Sequence, residues 1–257
     1  MLENSKHLGD YARVIRHRVV RPIVWNILHE PRLSSLSDDQ FFQLLDVQGP
    51  TTDFLSTFHD HAKFRFFFHP RNKKDFFLDL LARSQPYDQI LEEAQDVLEN
   101  RFAALGSAKV HLGDRIQWHK DFKSGREWPL RRLTIEEILD HPHPSDIKVP
   151  WELSRFHQVW WLGKAHWLTG SEQYAIKFRD LVEDRLKANP VGKGPNWTTA
   201  MEVAIRACNW IAGYYFFCES SSIPADFWMR FLKSLYAHGV FISHHLEFSS
   251  IRGNHGD

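Results

Sequence analysis

Residues 151–170 read WELSRFHQVWWLGKAHWLTG. Apolar residues recur there at helical spacing, and Thr169-Gly170 supplies a stop, which predicts a helix from Trp151 to about Leu168. The next segment, SEQYAIKFRDLVEDRLKANP (171–190), opens on Ser171 as a helix N-cap and is stopped by Pro190. A Gly/Pro loop, VGKGPN, leads into WTTAMEVAIRACNWIAGYYFFCES (197–220). A second turn, SSSIPAD, precedes FWMRFLKSLYAHGVFISHHLEF (227–248). Four helices joined by short turns predict consecutive antiparallel α-hairpins. No strand pattern interrupts them, so this half of the chain reads as all-α.

Upstream, the texture changes. LGSAKVHLGDRIQWHKDFKSGREWP (105–129) is rich in Gly, charge and Trp, and HPHPSDIKVP (141–150) is rich in Pro. Residues 106–150 therefore read as an extended connector, with room for a short strand or two, lying across another part of the fold. Residues 1–105 read as an N-terminal helical segment. Its helices are expected from Tyr11 to His29, from Asp38 to Asp46 behind Ser34, Ser35 and Ser37, from Asn72 behind Pro70, and from Pro86 to Leu105 before Gly106. Residues 151–257 complete the helical domain, which is continuous with that segment.

Composition narrows the function. The chain has 257 residues, enough for one large core or two modest ones. Lys plus Arg equals Asp plus Glu at 32 each, so no global field draws it to nucleic acid or to an anionic membrane. No run approaches the roughly 20 apolar residues of a membrane span, and no secretory leader is visible. Sixteen His make the charge responsive below about pH 6.5. Twenty Phe, ten Trp and six Tyr point first to packing, but flat indole and phenol faces also suit sugar rings.

Polar residues stand where a core is expected. Glu202, Arg206 and Asn209, at i, i+4 and i+7, share one face of a helix that is apolar nearly all round. Such a stripe is either an ion pair on a solvated face or the lining of a ligand groove. In the first helix Glu152, Arg155, His157 and Gln158 are interleaved with Trp151, Phe156, Trp160 and Trp161. Two helices carrying Trp, Glu and Arg in stripes suggest a shared polar channel with aromatic walls. Trp serves ring faces, Arg serves carboxylate or sulfate, and Asn and Glu serve hydroxyls.

Other clusters read more simply. Cys208 and Cys218 lie about 15 Å apart along one helix, too far for a disulfide, and read as small buried hydrophobes. The histidines of HPHP are held open by proline with no third ligand nearby. His238, His244 and His245 match no zinc spacing, so no metal and no cofactor is expected.

The stretches LGSAKVHLGDRIQWHKDFKSGREWP, DIKVPWELSRFHQVWWLGKAHWLTGSEQYA, NPVGKGPNWTTAMEVAIRACNWI and the terminal RGNH together resemble, in order, the N-terminal part of the heparinase II/III family of polysaccharide lyases. The resemblance covers roughly residues 100–255. It implies an incomplete (α/α) toroid, truncated here and lacking the family's C-terminal β-sandwich.

The resemblance also implies a chemistry, β-elimination at the C4 oxygen of a uronic acid in an acidic polysaccharide. The substrate is left open between heparan sulfate-like, alginate-like and exopolysaccharide chains. Removing the C5 proton requires stabilising an enolate-like carboxylate, and an amide donor suits that task. By resemblance Asn254 neutralises the carboxylate and His255 beside it is a second catalytic candidate. Trp151, Glu152, Arg155, Asn196, Trp197, Glu202, Arg206 and Asn209 would line the sugar groove. The family's catalytic Tyr and a further His lie beyond the asparagine motif, so the remaining C-terminal part of the same protein is an expected partner. The resemblance favours the periplasm or cell envelope. Two rivals stay open, a toroid glycoside hydrolase using Glu152 and Glu202 and a non-catalytic polysaccharide-binding domain.

Overall fold

A computed structural model describes residues 32–33, 35–45, 54–56, 58, 70–84, 86–134, 137–138, 142 and 144–246. The helix expected at Tyr11–His29, the histidines His141 and His143, and both catalytic candidates, Asn254 and His255, lie outside the described residues.

Helix α1 is Asp38–Leu44. Ser37 caps it in a reciprocal box: its hydroxyl accepts from Gln40 N while the Gln40 side chain accepts from Ser37 N. Phe41 and Phe42 are buried beneath it. Helix α2, Pro70–Ser84, starts at its proline. Helix α3, Tyr87–Leu98, is shorter than the sequence suggests. Asn100 turns the chain with a positive φ of 53°, and Arg101–Phe102 (β1) then pairs antiparallel with Val110–His111 (β2). The hairpin turns at Leu105-Gly106, both at positive φ, where the Ser107 amide donates to the Ala104 carbonyl. Cross-strand pairing took residues that local periodicity assigned to the helix.

The connector that follows is pinned by two buried indoles. Trp118 donates from Nε1 to Asp184 Oδ2 at 2.8 Å. Trp128 packs with Leu133, Ile138, Ile147 and Trp151 in a small satellite core. Asp121 holds the turn between them, accepting from the amides of Lys123, Ser124 and Asp146 and from the Ser124 hydroxyl.

The expected first helix of the hairpin series is broken in two. Helix α4 is Lys148–Ser154 and α5 is Val159–Thr169. Between them Phe156 takes φ 65°, a left-handed conformation that an aromatic residue rarely adopts. Its ring is 1% exposed and stacks on Trp118 at 5.5 Å and 4°, while Trp210 meets it edge-on. The tertiary socket over-determines a strained backbone that the local sequence would not choose. Helix α6, Gln173–Ala188, begins at Glu172 rather than on a Ser171 cap. A single 3₁₀ turn, Pro195–Trp197, precedes α7, Ala200–Phe217, capped by Thr199. Helix α8 is Ala225–His244.

Helices α5 and α6 pack as one hairpin and α7 and α8 as the next, while α5 and α7 lie directly against each other and α3 flanks α5. Side-by-side first members of successive hairpins are the repeat of an (α/α) toroid, and among the described residues the fold is all-α apart from the small β1–β2 ribbon. Phe178 of α6 meets Phe217, Phe227, Trp228 and Phe231, so the aromatic load is largely core. Cys208 is exposed and Cys218 only half-buried, which corrects the expectation that both sit in the core. The outer surface of α7 faces solvent at Cys208, whose neighbour Asn209 points inward. Among the described residues no helix is long and apolar enough to cross a membrane.

Two buried histidines are held neutral. His238 on α8 accepts at Nε2 from Arg206 (2.8 Å) and its Nδ1 faces the Ser234 carbonyl at 2.6 Å. Burial, then the charges of Arg206 and Arg185, push its pKa well below the usual value. His119 faces Asn189 Oδ1 at 3.0 Å. Burial lowers it too, with Arg185 acting in the same direction and Asn189 and Glu127 opposing.

Close approach of α5 and α7 depends on glycine. A Cβ at Gly163 would overlap the Phe216 ring, and one at Gly213 would lie 2.6 Å from Phe178 Cε2. Gly163→Ala is expected to lower unfolding free energy by about 1–3 kcal/mol through overpacking, although alanine is the better helix former; denaturant titration checks it. Acidification is the second test. Because the folded-state pKa values of His238 and His119 lie below their unfolded values, only the unfolded chain gains protons just below pH 6.5. Stability should therefore fall as pH drops, by about 1.4 kcal/mol per pH unit for each histidine still neutral in the fold. Chemical denaturation between pH 7.5 and 5.5 (roughly the histidine range) should show this slope, flattened in His238→Gln.

Candidate functional site

The break between α4 and α5 sets the site. Where a continuous helix would bury its carbonyls in its own ladder, Arg155 O is left to accept from Asn209 Nδ2 at 2.8 Å. Asn209 Oδ1 in turn accepts from Trp160 Nε1 at 2.9 Å. The same break aims the Arg155 side chain across to α7. There Nε and Nη2 grip Glu202 Oε2 and Oε1, each at 2.7 Å, a bidentate pair with the carboxylate 1% exposed. The Glu202 hydrogen bond raises the Arg155 pKa. Glu202 also occupies the first turn of α7, where the helix dipole favours an anion. The third nitrogen, Nη1, lies 3.8 Å from Glu152 Oε1.

This geometry revises the stripe on α7. Glu202 and Arg206, four residues apart, do not pair on a solvated face. Glu202 pairs with Arg155 on another element, and Arg206 turns inward, 1% exposed. Arg206 donates from Nε to His238, from Nη1 to Ser154 Oγ (3.2 Å) and from Nη2 to Asn196 O (3.1 Å). Asn196, wholly buried, donates to Trp118 O and to Asn189 Oδ1. Trp197 donates to Asn189 O at 3.3 Å, and Trp151 to Pro195 O at 2.8 Å. In this arrangement Trp151, Asn196, Trp197, Glu202, Arg206 and Asn209 are buried and hydrogen-bonded inside the protein, and none of them borders the open cavity. A polar stripe on an apolar helix has two physical outlets, solvent-facing recognition or internal satisfaction, and here the second wins.

Glu152 and Arg155 reach the open side. They border a cavity of about 360 Å³ between α3, the β1–β2 ribbon and the α4–α5 break. Its other walls include Glu93, Asp96, Arg101, Phe102, Lys109, His157, Gln158 and Trp161. Glu152 Oε2 accepts from the Leu105 amide at 2.7 Å, tying the ribbon's turn to α4. Asp96 anchors the cations opposite: Arg101 Nε lies 2.7 Å and Lys109 Nζ 2.6 Å from its oxygens, and Lys109 also reaches Glu93 at 2.9 Å. Burial raises the Asp96 pKa, but the hydrogen bonds from Lys109 and Arg101 outweigh it and hold the carboxyl below its usual value. Desolvation, then the Arg155 charge, lowers His157. Lys164 Nζ sits 4.7 Å over the Trp161 ring.

The rim therefore mixes cations, carboxylates and aromatic faces. Sequence reasoning noticed His157, Gln158 and Trp161 beside Arg155 but missed Asp96, Arg101 and Lys109. Arg101 and Lys109 arrive on the ribbon, whose first strand the sequence assigned to a helix, and Asp96 arrives from the last turn of α3. Among the described residues no group of three His, Cys, Asp or Glu side chains is placed to hold a metal.

The comparisons with known proteins agree with this architecture. Heparan sulfate lyase HepC from Pedobacter heparinus superposes with a TM-score of 0.57 at 20% identity, covering 78% of this chain and 28% of that one. A HepC mutant from the same organism gives a TM-score of 0.58 at 21% identity, covering 80% and 29%. The heparinase III BT4657 gene product with methylated lysines gives 0.54 at 20%, covering 83% and 34%. These likenesses establish the shared helical toroid, and the chain spans about a third of the length of each solved relative. No curated protein sequence matches it. The heparinase II/III N-terminus family matches residues 34–256, nearly the whole chain and every element of the site just described, and the chain belongs to that family.

Proposed function

We propose that this chain is the N-terminal toroid part of a polysaccharide lyase that cleaves a uronic-acid-containing acidic polysaccharide by β-elimination. The observation that carries the reading is the family match from residue 34 to 256, which takes in Arg252-Gly253-Asn254-His255. In this reading the Asn254 amide donates to the uronate carboxylate and stabilises the enolate-like intermediate as the C5 proton leaves, an oxyanion-hole task. His255 assists catalysis or orients the site. The residue that protonates the leaving C4 oxygen comes from the remainder of the lyase. Arg155, held rigid by Glu202, offers Nη1 to sulfate or carboxylate at the rim, with Glu152 and Trp161 beside it. That two of the solved relatives are heparan sulfate lyases supports the substrate class, with heparan sulfate as its leading member.

The hydrolase alternative requires Glu152 and Glu202 as an acid–base pair. Glu202 is 1% exposed with both oxygens on Arg155, an arrangement that gives it no route to a glycosidic oxygen.

The lyase protein carrying this chain, incubated with heparan sulfate, alginate and other uronans, should release a 4,5-unsaturated uronide detectable by its ultraviolet absorbance. New reducing ends without that absorbance would overturn the reading in favour of hydrolysis. Asn254→Ala should cut kcat by roughly 10²–10³-fold while leaving the thermal transition in place. Glu202→Gln separates structure from chemistry. It strands the Arg155 guanidinium beside a buried amide, and a loss of about 3–5 kcal/mol in unfolding free energy is expected. Glu152→Gln, at a partly exposed position, should leave stability within about 1 kcal/mol.

A further inference from the structure

Arg185 and Arg206 are packed at the centre of the described core, 0% and 1% exposed. Among the described residues no carboxylate is hydrogen-bonded to either. Arg185, on α6, donates from Nε to Ser154 Oγ at 2.9 Å, and its Nη1 and Nη2 are buried with no acceptor among the described residues. Arg206, on α7, donates only to neutral acceptors: an imidazole nitrogen, the same Ser154 hydroxyl and a main-chain carbonyl. The two guanidiniums flank one indole, with their Cζ atoms 5.9 and 5.1 Å from the Trp197 ring centroid. Arg185 also lies 5.7 Å from the Trp210 ring, whose Nε1 is another buried donor without an acceptor. Asn196 Oδ1, next to Trp197, is the unpartnered acceptor in the same neighbourhood.

The balance of charge is one-sided. Arg185 and Arg206 lie together, and Glu202, whose charge is felt by Arg206, has both oxygens on Arg155. A guanidinium does not shed its proton at neutral pH, so the cluster cannot relieve itself by deprotonation. Burying an unpaired cation costs several kcal/mol, and indole faces offset only about 2 kcal/mol of it. Burial and the charge of Arg206 push the Arg185 pKa well down, the signature of a cation lacking its counter-charge. Unpartnered donors outnumber unpartnered acceptors. A water molecule would satisfy the geometry but leave the charge, whereas an anion satisfies both.

We propose that Arg185 and Arg206, walled by Trp197 and Trp210, bind a single buried halide-sized anion that locks α6 and α7 to the end of α4 through Ser154. The atoms concerned are wholly enclosed, which favours a small monoatomic ion over a sulfated or carboxylated group. The site lies in the buried core, away from the residues that line the open cavity, and does not depend on the lyase reading.

Thermal unfolding of the chain at constant ionic strength tests it, with sodium chloride or bromide replacing sodium gluconate. The midpoint should rise by about 3–6 °C between zero and ten times the dissociation constant, and Arg185→Met should abolish that halide dependence. Crystals grown in bromide should show an anomalous peak within hydrogen-bonding reach of Arg185 Nη1 or Nη2. Absence of that peak overturns the proposal whatever the melting data show and leaves the cluster as a hydrated one. If Arg185→Met does not fold, the bromide peak in the unaltered chain alone decides.

Discussion

The Arg155–Glu202 pair joins positions 47 residues apart and spans the junction on which the helical repeat is built. A buried carboxylate in the first turn of α7 would be untenable without a cation, and the cation arrives only because α4 stops at Ser154 and the chain turns through a left-handed Phe156. The break, the ion pair and the aromatic socket around Phe156 are therefore one device. Removing any one leaves a strained backbone, a stranded charge or an unsatisfied carbonyl, since Asn209 closes the Arg155 carbonyl from the same face of α7. Interlocking of this kind makes the pair a determinant of register between hairpins, beyond whatever net energy a buried ion pair contributes.

That junction also explains how the groove is laid out. The buried layer behind the cavity holds indoles and amides hydrogen-bonded to oxygens of the same layer, from Trp151 on the Pro195 carbonyl to Asn196 on Asn189. The rim is built from a different source, the β1–β2 ribbon, whose Arg101 and Lys109 are fixed by Asp96 at the end of α3. Glu152 joins the ribbon to α4 by accepting from the Leu105 amide. Each of these cations is held by two carboxylates, Arg101 by Asp96 and Glu99 and Lys109 by Glu93 and Asp96, which fixes its orientation.

What could be read from residues alone divides along a physical line. The helices α5 to α8 and their hairpin order were legible because apolar spacing, Gly170 and Pro190 act locally. The break at 155–158 was not, since WELSRFHQVWWL is helical by every local measure and only Trp118, from the connector, forces Phe156 out of the helix. Likewise the end of α3 was placed seven residues late, because strand pairing with Val110–His111 is a long-range term. Glu202 and Arg206 were read as either a surface pair or a groove lining. Spacing fixes which residues share a face but says nothing of what covers that face, and here α4, α8 and the 3₁₀ turn cover it.

The same reasoning bears on why this helix pair carries so much charge at all. An apolar core of Leu and Phe would pack α6 against α7 at lower desolvation cost, yet two guanidiniums, Arg185 and Arg206, are set against Trp197 and Trp210. Both converge on the hydroxyl of Ser154, one residue before Arg155. A leucine at either position could slide along its neighbours with little change in energy. A planar fork bonded to a particular hydroxyl cannot, so the position of residue 154, and with it the aim of Arg155 into the groove, is fixed to within a hydrogen bond. Fixing the angle between hairpins in this way also fixes where Arg155 points, which adding apolar stability would not do. Buried polar groups supply directionality that apolar packing lacks.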